Sequence, residues 1–198
     1  IVIPDVQAVV DAERQRLDAA QAGPFSTRAY FDDYQPLGSI SAYVNVLVGT
    51  RPDMVTRFSI GTSLQNRDLF AMRITAPNPT TSKPTLFIHG LQHAREWITG
   101  SVVMYLADYL VRNIDADPRV RNVLARYNVV ILPVMNPDGY VHTWTSNRYW
   151  RKNRRQNSAN SFGVDLNRNW GETWGSSNGS SGNPNSDTYR GTAAFSEP

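Results

Sequence analysis

The sequence predicts an α/β fold in which a mixed central sheet is flanked by helices, and two observations support this prediction. Residues 55–61 and 67–75 alternate apolar and polar side chains, which is typical of a β-hairpin. Short apolar strands at 85–89 and 129–134 then alternate with segments of helical period. This alternation is typical of a largely internal sheet whose strands are joined by helices. Regular patterning weakens beyond residue 136.

The N-terminal segment predicts a helix. Residues 1–3 form a short β-type run, and Asp5 can cap the helix that follows it. Apolar residues then recur at helical spacing on one face as far as Leu17. The pair Gly23-Pro24 breaks the helix, because proline cannot continue it and glycine weakens it.

A linker and a second helix come before the hairpin. Residues 23–33 have the composition of a linker, and Arg28 is a basic site within it that we expect to be exposed. Residues 39–48 predict an amphipathic helix, which Gly49 ends. The polar residues 63–66 predict the turn of the hairpin.

The middle of the chain predicts a buried strand followed by a strong helix. The predicted strand 85–89 has the apolar centre Leu86-Phe87-Ile88, as in strands that are covered on both faces. A shorter helix is predicted at 119–126, and the Gly, Ser and Asn content of 171–187 predicts a loop. The strong helix has six apolar residues at its period, namely Ile98, Val102, Tyr105, Leu106, Tyr109 and Leu110.

Composition excludes several classes of protein. A chain of 198 residues with 40% hydrophobic side chains can bury the core of one domain. No apolar run approaches the roughly 20 residues that a membrane-spanning helix needs. The net charge of +3 suits an anionic substrate without requiring a nucleic acid. The absence of cysteine is more typical of a reducing compartment than of a small secreted domain.

His93 and Glu96 form the first candidate site. They follow the strand at 85–89, so we expect His93 on the connecting loop and Glu96 in the first turn of the next helix. Side chains three positions apart at such a place can point to the same side, and both types are good Zn²⁺ ligands. The alternative is a helix-start glutamate that only lies near a polar histidine.

The segment 147–155 is the second candidate site. Its five basic residues are interleaved with two aromatic residues, a pattern that can bind nucleic acid through phosphate contacts and stacking. The alternative, which we prefer for the segment taken alone, is a solvated cationic loop.

The segment 165–170 is the third candidate site. Asn167 and Arg168 suit the binding of a carboxylate, because arginine offers a planar two-pronged donor. The alternative is a structural turn in which Asp165 pairs with Arg168.

Two further features favour structural roles. The sequence NPDG at 136–139 is a turn signature after a strand, and we interpret it as a chain reversal. His142 has no carboxylate or second histidine at ligand spacing, and His89 lies inside an apolar strand. Both histidines are therefore predicted to be hydrogen-bonded structural residues.

Together, four motifs resemble the zinc carboxypeptidases of the carboxypeptidase A/B family in their order and their gaps. They are HAREW at 93–97, NPDG at 136–139, RYWRKNRR at 148–155 and DLNRNW at 165–170. The resemblance covers essentially the whole chain. It implies a carboxypeptidase-like α/β/α fold that is incomplete on its C-terminal side.

The resemblance also implies roles for individual residues. His93 and Glu96 correspond to two zinc ligands, and Arg151 corresponds to the catalytic residue that polarises the scissile carbonyl. The residues that correspond to substrate-binding positions are Arg95, Arg148, Asn167 and Arg168. The expected reaction is hydrolysis of the C-terminal peptide bond, with one Zn²⁺ in each complete catalytic domain.

The resemblance further implies a zymogen and an unfinished site. Residues 1–22 correspond to the connecting helix of an activation segment, 23–33 to a linker cut near Arg28, and 34–198 to the N-terminal part of the catalytic domain. A third ligand histidine, a tyrosine and the general-base glutamate are expected beyond residue 198. The alternative is a non-catalytic relative that binds peptide C-termini.

The expected partners follow from the same resemblance. They are peptides or proteins with a free C-terminus and an activating protease, and a nucleic-acid partner is not expected. The resemblance also implies a secreted monomer.

Overall fold

The computed structural model describes residues 5–21, 27, 29–77, 82–176 and 179–198. In these ranges the helices are α1 (Val6–Gln21), α2 (Leu37–Thr50), α3 (Trp97–Asn113), α4 (Pro118–Arg126) and α5 (Pro137–Thr145). The strands are β1 (Val55–Thr62), β2 (Asp68–Ile74), β3 (Thr85–His89), β4 (Asn128–Leu132), β5 (Gln156–Ser158) and β6 (Ser161–Phe162). The predicted β-type run at 1–3 and the predicted cleavage region at Arg28 lie outside the described residues.

Four strands form the central sheet, in the order β1-β2-β4-β3. β1 and β2 are an antiparallel hairpin, in which Val55 pairs with Ile74. β4 pairs antiparallel with β2 and parallel with β3, so that Ile131 lies opposite both Met72 and Ile88. The prediction of a mixed sheet flanked by helices is confirmed. β5 and β6 form a separate two-stranded ribbon.

The core lies between the sheet and the helices that pack on it. Val44 and Leu47 of α2, Met72 of β2, Met104 of α3 and Ile131 of β4 are all fully buried. Each such side chain contributes about 1.5–3 kcal/mol relative to leaving it in water. Leu17 of α1 belongs to the same buried cluster, so this helix packs on the domain.

The prediction that strand 85–89 is buried is wrong for the described residues. Leu86 and Phe87 are 40% and 51% exposed, because β3 is an edge strand with only β4 beside it. Three residues of the predicted apolar face of α3, namely Ile98, Val102 and Tyr105, are exposed as well. Apolar periodicity shows which side chains share a face, but it does not show which face another element covers.

The interpretation of NPDG as a chain reversal is also wrong, because these residues begin α5. Asn136 is the N-cap, and its side-chain oxygen accepts a hydrogen bond from Gly139 N at 2.9 Å. Pro137 occupies the first helical position, where the missing N–H has no cost. Turn and helix-start signatures share these residue types, which explains the error.

Asp138, in the first turn of α5, ties this helix to the hairpin turn. Its carboxylate is buried and accepts hydrogen bonds from Ser63 Oγ at 2.6 Å and Gln65 N at 3.0 Å. Arg67 adds an ion pair at 2.7 Å. The turn that follows β1 is thereby fixed beside the start of α5.

None of the helices described here is long and apolar enough to cross a bilayer.

Asp138→Ala is therefore expected to lower the free energy of unfolding by about 1.5–3 kcal/mol, because it removes the charged acceptor that Ser63, Gln65 and Arg67 share. Urea denaturation followed by circular dichroism measures the change. Asp115→Asn is the control, since that exposed carboxylate pairs only at the surface with Arg51. Equal midpoints for the two variants would contradict a stabilising role for Asp138.

Candidate active site

The loop between β3 and α3 brings His93 and Glu96 together. Gly90 allows the loop to leave the sheet, because a Cβ there would lie 2.9 Å from the carbonyl oxygens of Pro133 and Thr99. Glu96 is the N-cap residue of α3 rather than a residue of its first turn, one position from the prediction. His93 Nδ1 lies 2.9 Å from Glu96 Oε1.

Asp165 holds the other side of the His93 ring. Its carboxylate is fully buried and lies 3.1 Å from His93 Nε2. A carboxylate only accepts hydrogen bonds, so Nε2 carries the proton and donates it. The lone pair of Nδ1 is thereby turned towards Glu96. Nδ1 and the Glu96 carboxylate are therefore close enough to contact one shared cation.

Arg151 completes the arrangement around Asp165. Its Nη2 and Nε donate to Asp165 Oδ2 at 3.0 and 3.3 Å. Its Nη1 lies 3.7 Å from Glu96 Oε1, on the side of the His93–Glu96 pair. Burial opposes ionisation of Asp165, but the hydrogen bonds from His93 and Arg151 outweigh that cost and hold the pKa of Asp165 below its usual value. His93 and Arg151 therefore meet at the carboxylate of Asp165, and Glu96 lies beside both of them.

Asn167 and Arg168 are placed by the same carboxylate. They lie in a 3-10 helix, Leu166–Arg168, and Asp165 caps it by accepting a hydrogen bond from Asn167 N at 2.9 Å. Asn167 is exposed, while Arg168 donates from Nε to Gly179 O at 2.9 Å. The alternative in which Asp165 pairs with the Arg168 side chain is wrong, because His93 and Arg151 occupy its oxygens.

Arg95 and Arg148 flank the His93 loop. Arg148 lies 3.7 Å from the centre of the Trp97 ring and donates from Nη1 to Arg95 O at 2.9 Å. Arg95 reaches Tyr149 O at 3.2 Å and the carboxylate of Asp187 at 3.6 Å. The structure thus brings all seven predicted site residues to one region through the segments that follow β3, α5 and β6.

The cationic segment 147–155 is neither a solvated loop nor a stripe of free charges. Arg151 pairs with Asp165, and Arg155 pairs with the buried carboxylate of Glu197 at 3.0 Å. Arg154 stacks on the rings of Trp150 and Phe162. Lys152 is buried and donates to two carbonyl oxygens. The sequence of this segment alone does not show these internal partners, so neither interpretation of it included them.

The other two histidines differ from each other. His142 packs edge-on against Trp150, and burial lowers its pKa. His89 was predicted to be hydrogen-bonded, but its buried Nδ1 has no partner among the described residues. Burial lowers the pKa of His89 as well, which is consistent with a neutral ring.

The His93–Glu96 pair can supply two of the ligands that a zinc ion needs. Two nitrogen or oxygen ligands of a tetrahedral zinc ion lie roughly 3.3 Å apart, so a small movement from 2.9 Å admits the ion. A histidine ligand that donates its other N–H to a carboxylate is the usual arrangement in metal sites. Within the described ranges, no group of three histidine, cysteine or acidic side chains could hold a metal.

Sequence reasoning did not find the role of Asp165. A carboxylate flanked by the apolar residues Val164 and Leu166 was the available signal, because a charge in such a place must have buried partners. The identity of those partners could not be read from the sequence, since His93 is 72 residues away.

Known proteins similar to this chain are carboxypeptidases. The zinc carboxypeptidase family model (Peptidase_M14) matches residues 40–198. The chain is 38% identical over 192 residues to a protein named inactive metallocarboxypeptidase ECM14 from Ajellomyces dermatitidis. This alignment covers 96% of the chain and 32% of the relative. The chain is 36% identical over 198 residues to carboxypeptidase A2 of Mus musculus, covering 100% of the chain and 46% of that relative.

A solved structure gives the same result. Carboxypeptidase A from Helicoverpa armigera matches with a TM-score of 0.86 and 37% identity, over 100% of the chain and 48% of its own. The chain spans less than half the length of each of these three proteins.

The two-ligand pair predicts weak zinc binding by the 198-residue chain. We expect a dissociation constant of about 1 μM or weaker by calorimetric titration, because a zinc site in proteins usually has at least three protein ligands. His93→Ala should abolish the remaining binding, whereas His142→Ala should leave it unchanged. Tight one-to-one binding by the unaltered chain would contradict this account of the site.

Proposed function

The chain belongs to the zinc carboxypeptidase family, and we propose that it forms part of a zinc-dependent metallocarboxypeptidase that hydrolyses the C-terminal peptide bond of peptides and proteins. One observation carries the proposal. His93 and Arg151 both contact the buried carboxylate of Asp165, and Glu96 lies beside them. Asn167 and Arg168 lie in the short helix that Asp165 caps. Asp165 thereby links His93, one member of the proposed metal-binding pair, to the segment that carries Asn167 and Arg168.

His93 and Glu96 are the residues that would hold zinc. The hydrogen bond from His93 Nε2 to Asp165 fixes the ring and leaves Nδ1 available as a ligand. Zinc bound there would supply a Lewis acid that polarises the substrate carbonyl. We assign the third ligand and the general base to residues outside this chain, so the 198 residues alone are expected to be inactive.

Arg151 would stabilise the negative charge that develops on the carbonyl oxygen. Two of its nitrogens are held by Asp165, which leaves Nη1 on the side of the metal-binding pair. A donor that is already oriented costs little reorganisation when charge develops, and such groups contribute about 3–4 kcal/mol of barrier lowering.

Asn167 and Arg168 would bind the C-terminal carboxylate of the substrate. Arg168 is a planar donor and Asn167 is exposed beside it, and together they can hold both carboxylate oxygens. Arg95 and Arg148 would contact residues of the substrate further from the scissile bond. A requirement for a free carboxylate makes the proposed enzyme an exopeptidase.

A non-catalytic protein that binds peptide C-termini is the second candidate. The relative named inactive metallocarboxypeptidase ECM14, at 38% identity, favours it. Such a protein needs Asn167, Arg168 and the cationic surround but not the general base. The two candidates therefore share the carboxylate site and differ in hydrolysis.

We also propose that α1 ends an activation segment, that 23–33 is a linker, and that 34–198 begin the catalytic domain. Two contacts support a role for α1 at the site. Arg14 donates to Trp144 O at 3.0 Å, and Glu13 lies 3.6 Å from Arg148 Nε. A cavity of about 160 Å³ lies between α1 and the segment 143–149. In this arrangement Glu13 of α1 pairs with Arg148, a cation that we assign to substrate binding.

The remaining expectations are also proposals. We propose a secreted monomer whose substrates are peptides or proteins with free C-termini and whose precursor is activated by another protease. The internal partners of segment 147–155 support the view that nucleic acid is not a ligand, because Lys152, Arg154 and Arg155 are held by groups of the same chain.

The carboxylate assignment predicts different effects for two arginines in the full-length protein. Arg168→Ala should weaken binding of free-carboxylate peptides by about tenfold to a hundredfold and leave amidated peptides unaffected. Arg151→Ala should mainly lower kcat, because its interaction grows in the transition state. Steady-state kinetics measure both, with Arg119→Ala, at an exposed site on α4, as control. Equal losses on free and amidated peptides after Arg168→Ala would contradict the assignment.

The activation-segment proposal predicts a latent precursor. Cleavage of the full-length protein near Arg28 should raise its peptidase activity, because α1 then no longer holds Arg148. Glu13→Gln should raise the activity of the uncut protein, whereas Gln7→Glu, on the same helix, should not. An unchanged rate after cleavage would argue against a zymogen.

A further inference from the structure

Lys152 is a buried cation beside the site, and the proposed function gives it no role. Lys152 is 4% exposed, and its Nζ donates to Pro184 O at 3.1 Å and to Ser186 O at 2.9 Å. Among the ion pairs of the described residues, none includes Lys152. Burial lowers the pKa of its ammonium group, and the carboxylates of Asp187 and Asp165 offset part of this effect. An ammonium group is costly to bury unless its donors are used.

The two acceptors of Lys152 lie in one loop, residues 179–187. Ser161 of β6 also donates to Pro184 O, at 3.1 Å. The loop is thereby attached at its middle to two separate segments. Hydrogen bonds from a charged donor are stronger than neutral ones, so Lys152 holds the middle of the loop more strongly than Ser161 does.

The ends of the same loop contact two of the proposed substrate-binding residues. Arg168 donates from Nε to Gly179 O at 2.9 Å. Asp187 lies 3.6 Å from Arg95 Nη1. The orientation of both guanidinium groups therefore depends on where the loop lies.

The backbone of Lys152 is itself part of the base of the site. Its carbonyl accepts a hydrogen bond from Asn136 Nδ2 at 3.1 Å, and the carbonyl of the preceding residue, Arg151, accepts from Ala94 N at 2.9 Å. Lys152 thus connects loop 179–187, through its side chain, to a backbone segment that is bonded to the N-cap of α5 and, one residue earlier, to the loop that carries His93 and Glu96.

We propose that Lys152 is a positioning residue, which fixes loop 179–187 so that Arg168 and Arg95 present one arrangement of donors to a substrate carboxylate. The proposal rests on the function proposed above for Asn167 and Arg168. Lys152 does not contact the substrate, because its ammonium group is buried and its donors are directed to the loop carbonyls.

Hydrogen exchange on the 198-residue chain tests the attachment of the loop. Lys152→Met retains the bulk and removes the donors. The amides of Ser181 and Ser186, which bond to Thr188 O and Asn183 O, should then exchange about tenfold to a hundredfold faster. Ser161→Ala should act in the same direction with a smaller effect, and it carries the test if Lys152→Met does not fold.

The control is Lys83→Met. Lys83 is the only other lysine of the chain, and its Nζ also donates to a backbone carbonyl, that of Leu124 at 2.8 Å. It precedes β3 at the end opposite the site. Exchange at Ser181 and Ser186 should not change in this variant. Unchanged exchange in both Lys152→Met and Ser161→Ala would overturn the proposal.

A binding measurement tests the consequence for the arginines. Dissociation constants are measured for one peptide with a free C-terminus and for its amide. We expect Lys152→Met to reduce the preference for the free form by about tenfold and to leave the affinity for the amide unchanged. A retained preference together with faster exchange would overturn the positioning role.

The same measurement separates this proposal from the proposed function. If the unaltered chain shows no preference for the free carboxylate, the assignment of Asn167 and Arg168 fails. The exchange experiment then still decides whether Lys152 fixes the loop.

Discussion

A fully buried carboxylate, that of Asp165, accepts hydrogen bonds from three separate parts of the chain, and the geometry of the site depends on them. Burying an isolated charge is costly, and the cost is offset only when its acceptor positions are filled. His93, Arg151 and the backbone of Asn167 fill them here. Because these donors belong to residues for which we propose different roles, the requirement to satisfy one anion also sets the orientation of the proposed metal-binding, oxyanion and carboxylate-binding parts.

The cationic segment 147–155 illustrates why charge counted along a sequence says little about its use. Five basic residues within nine positions suggest an exposed surface, yet Lys152 and Arg151 face inwards to carbonyl and carboxylate oxygens. Arginine is suited to such places because its planar group can pair with a carboxylate and stack on an aromatic ring. The positive charge of this segment organises the loops around the site.

The sequence predicts the elements whose residues interact locally and misses the features that depend on distant partners. The hairpin, β4 and α4 lie where hydrophobic period and caps place them. The exposure of β3 could not be predicted, since it depends on which strand lies beside it. The role of Asp165 depends on a histidine 72 positions earlier. His93, Glu96, Asn167 and Arg168 are candidates from their chemistry alone, and the family resemblance adds roles for Arg95, Arg148 and Arg151. The common location of all seven follows from the fold rather than from their spacing.

The site separates into two parts whose chemistry is independent. The arginines and Asn167 can bind a C-terminal carboxylate without any metal, because they need only an anion to pair with. The His93–Glu96 pair needs a cation between its atoms and a further ligand before it can polarise a carbonyl. Under the proposed assignments, a change that removes only the second part would leave a protein that still binds peptide C-termini. The same fold can therefore accommodate both an active carboxypeptidase and an inactive relative, since function resides in the site rather than in the fold.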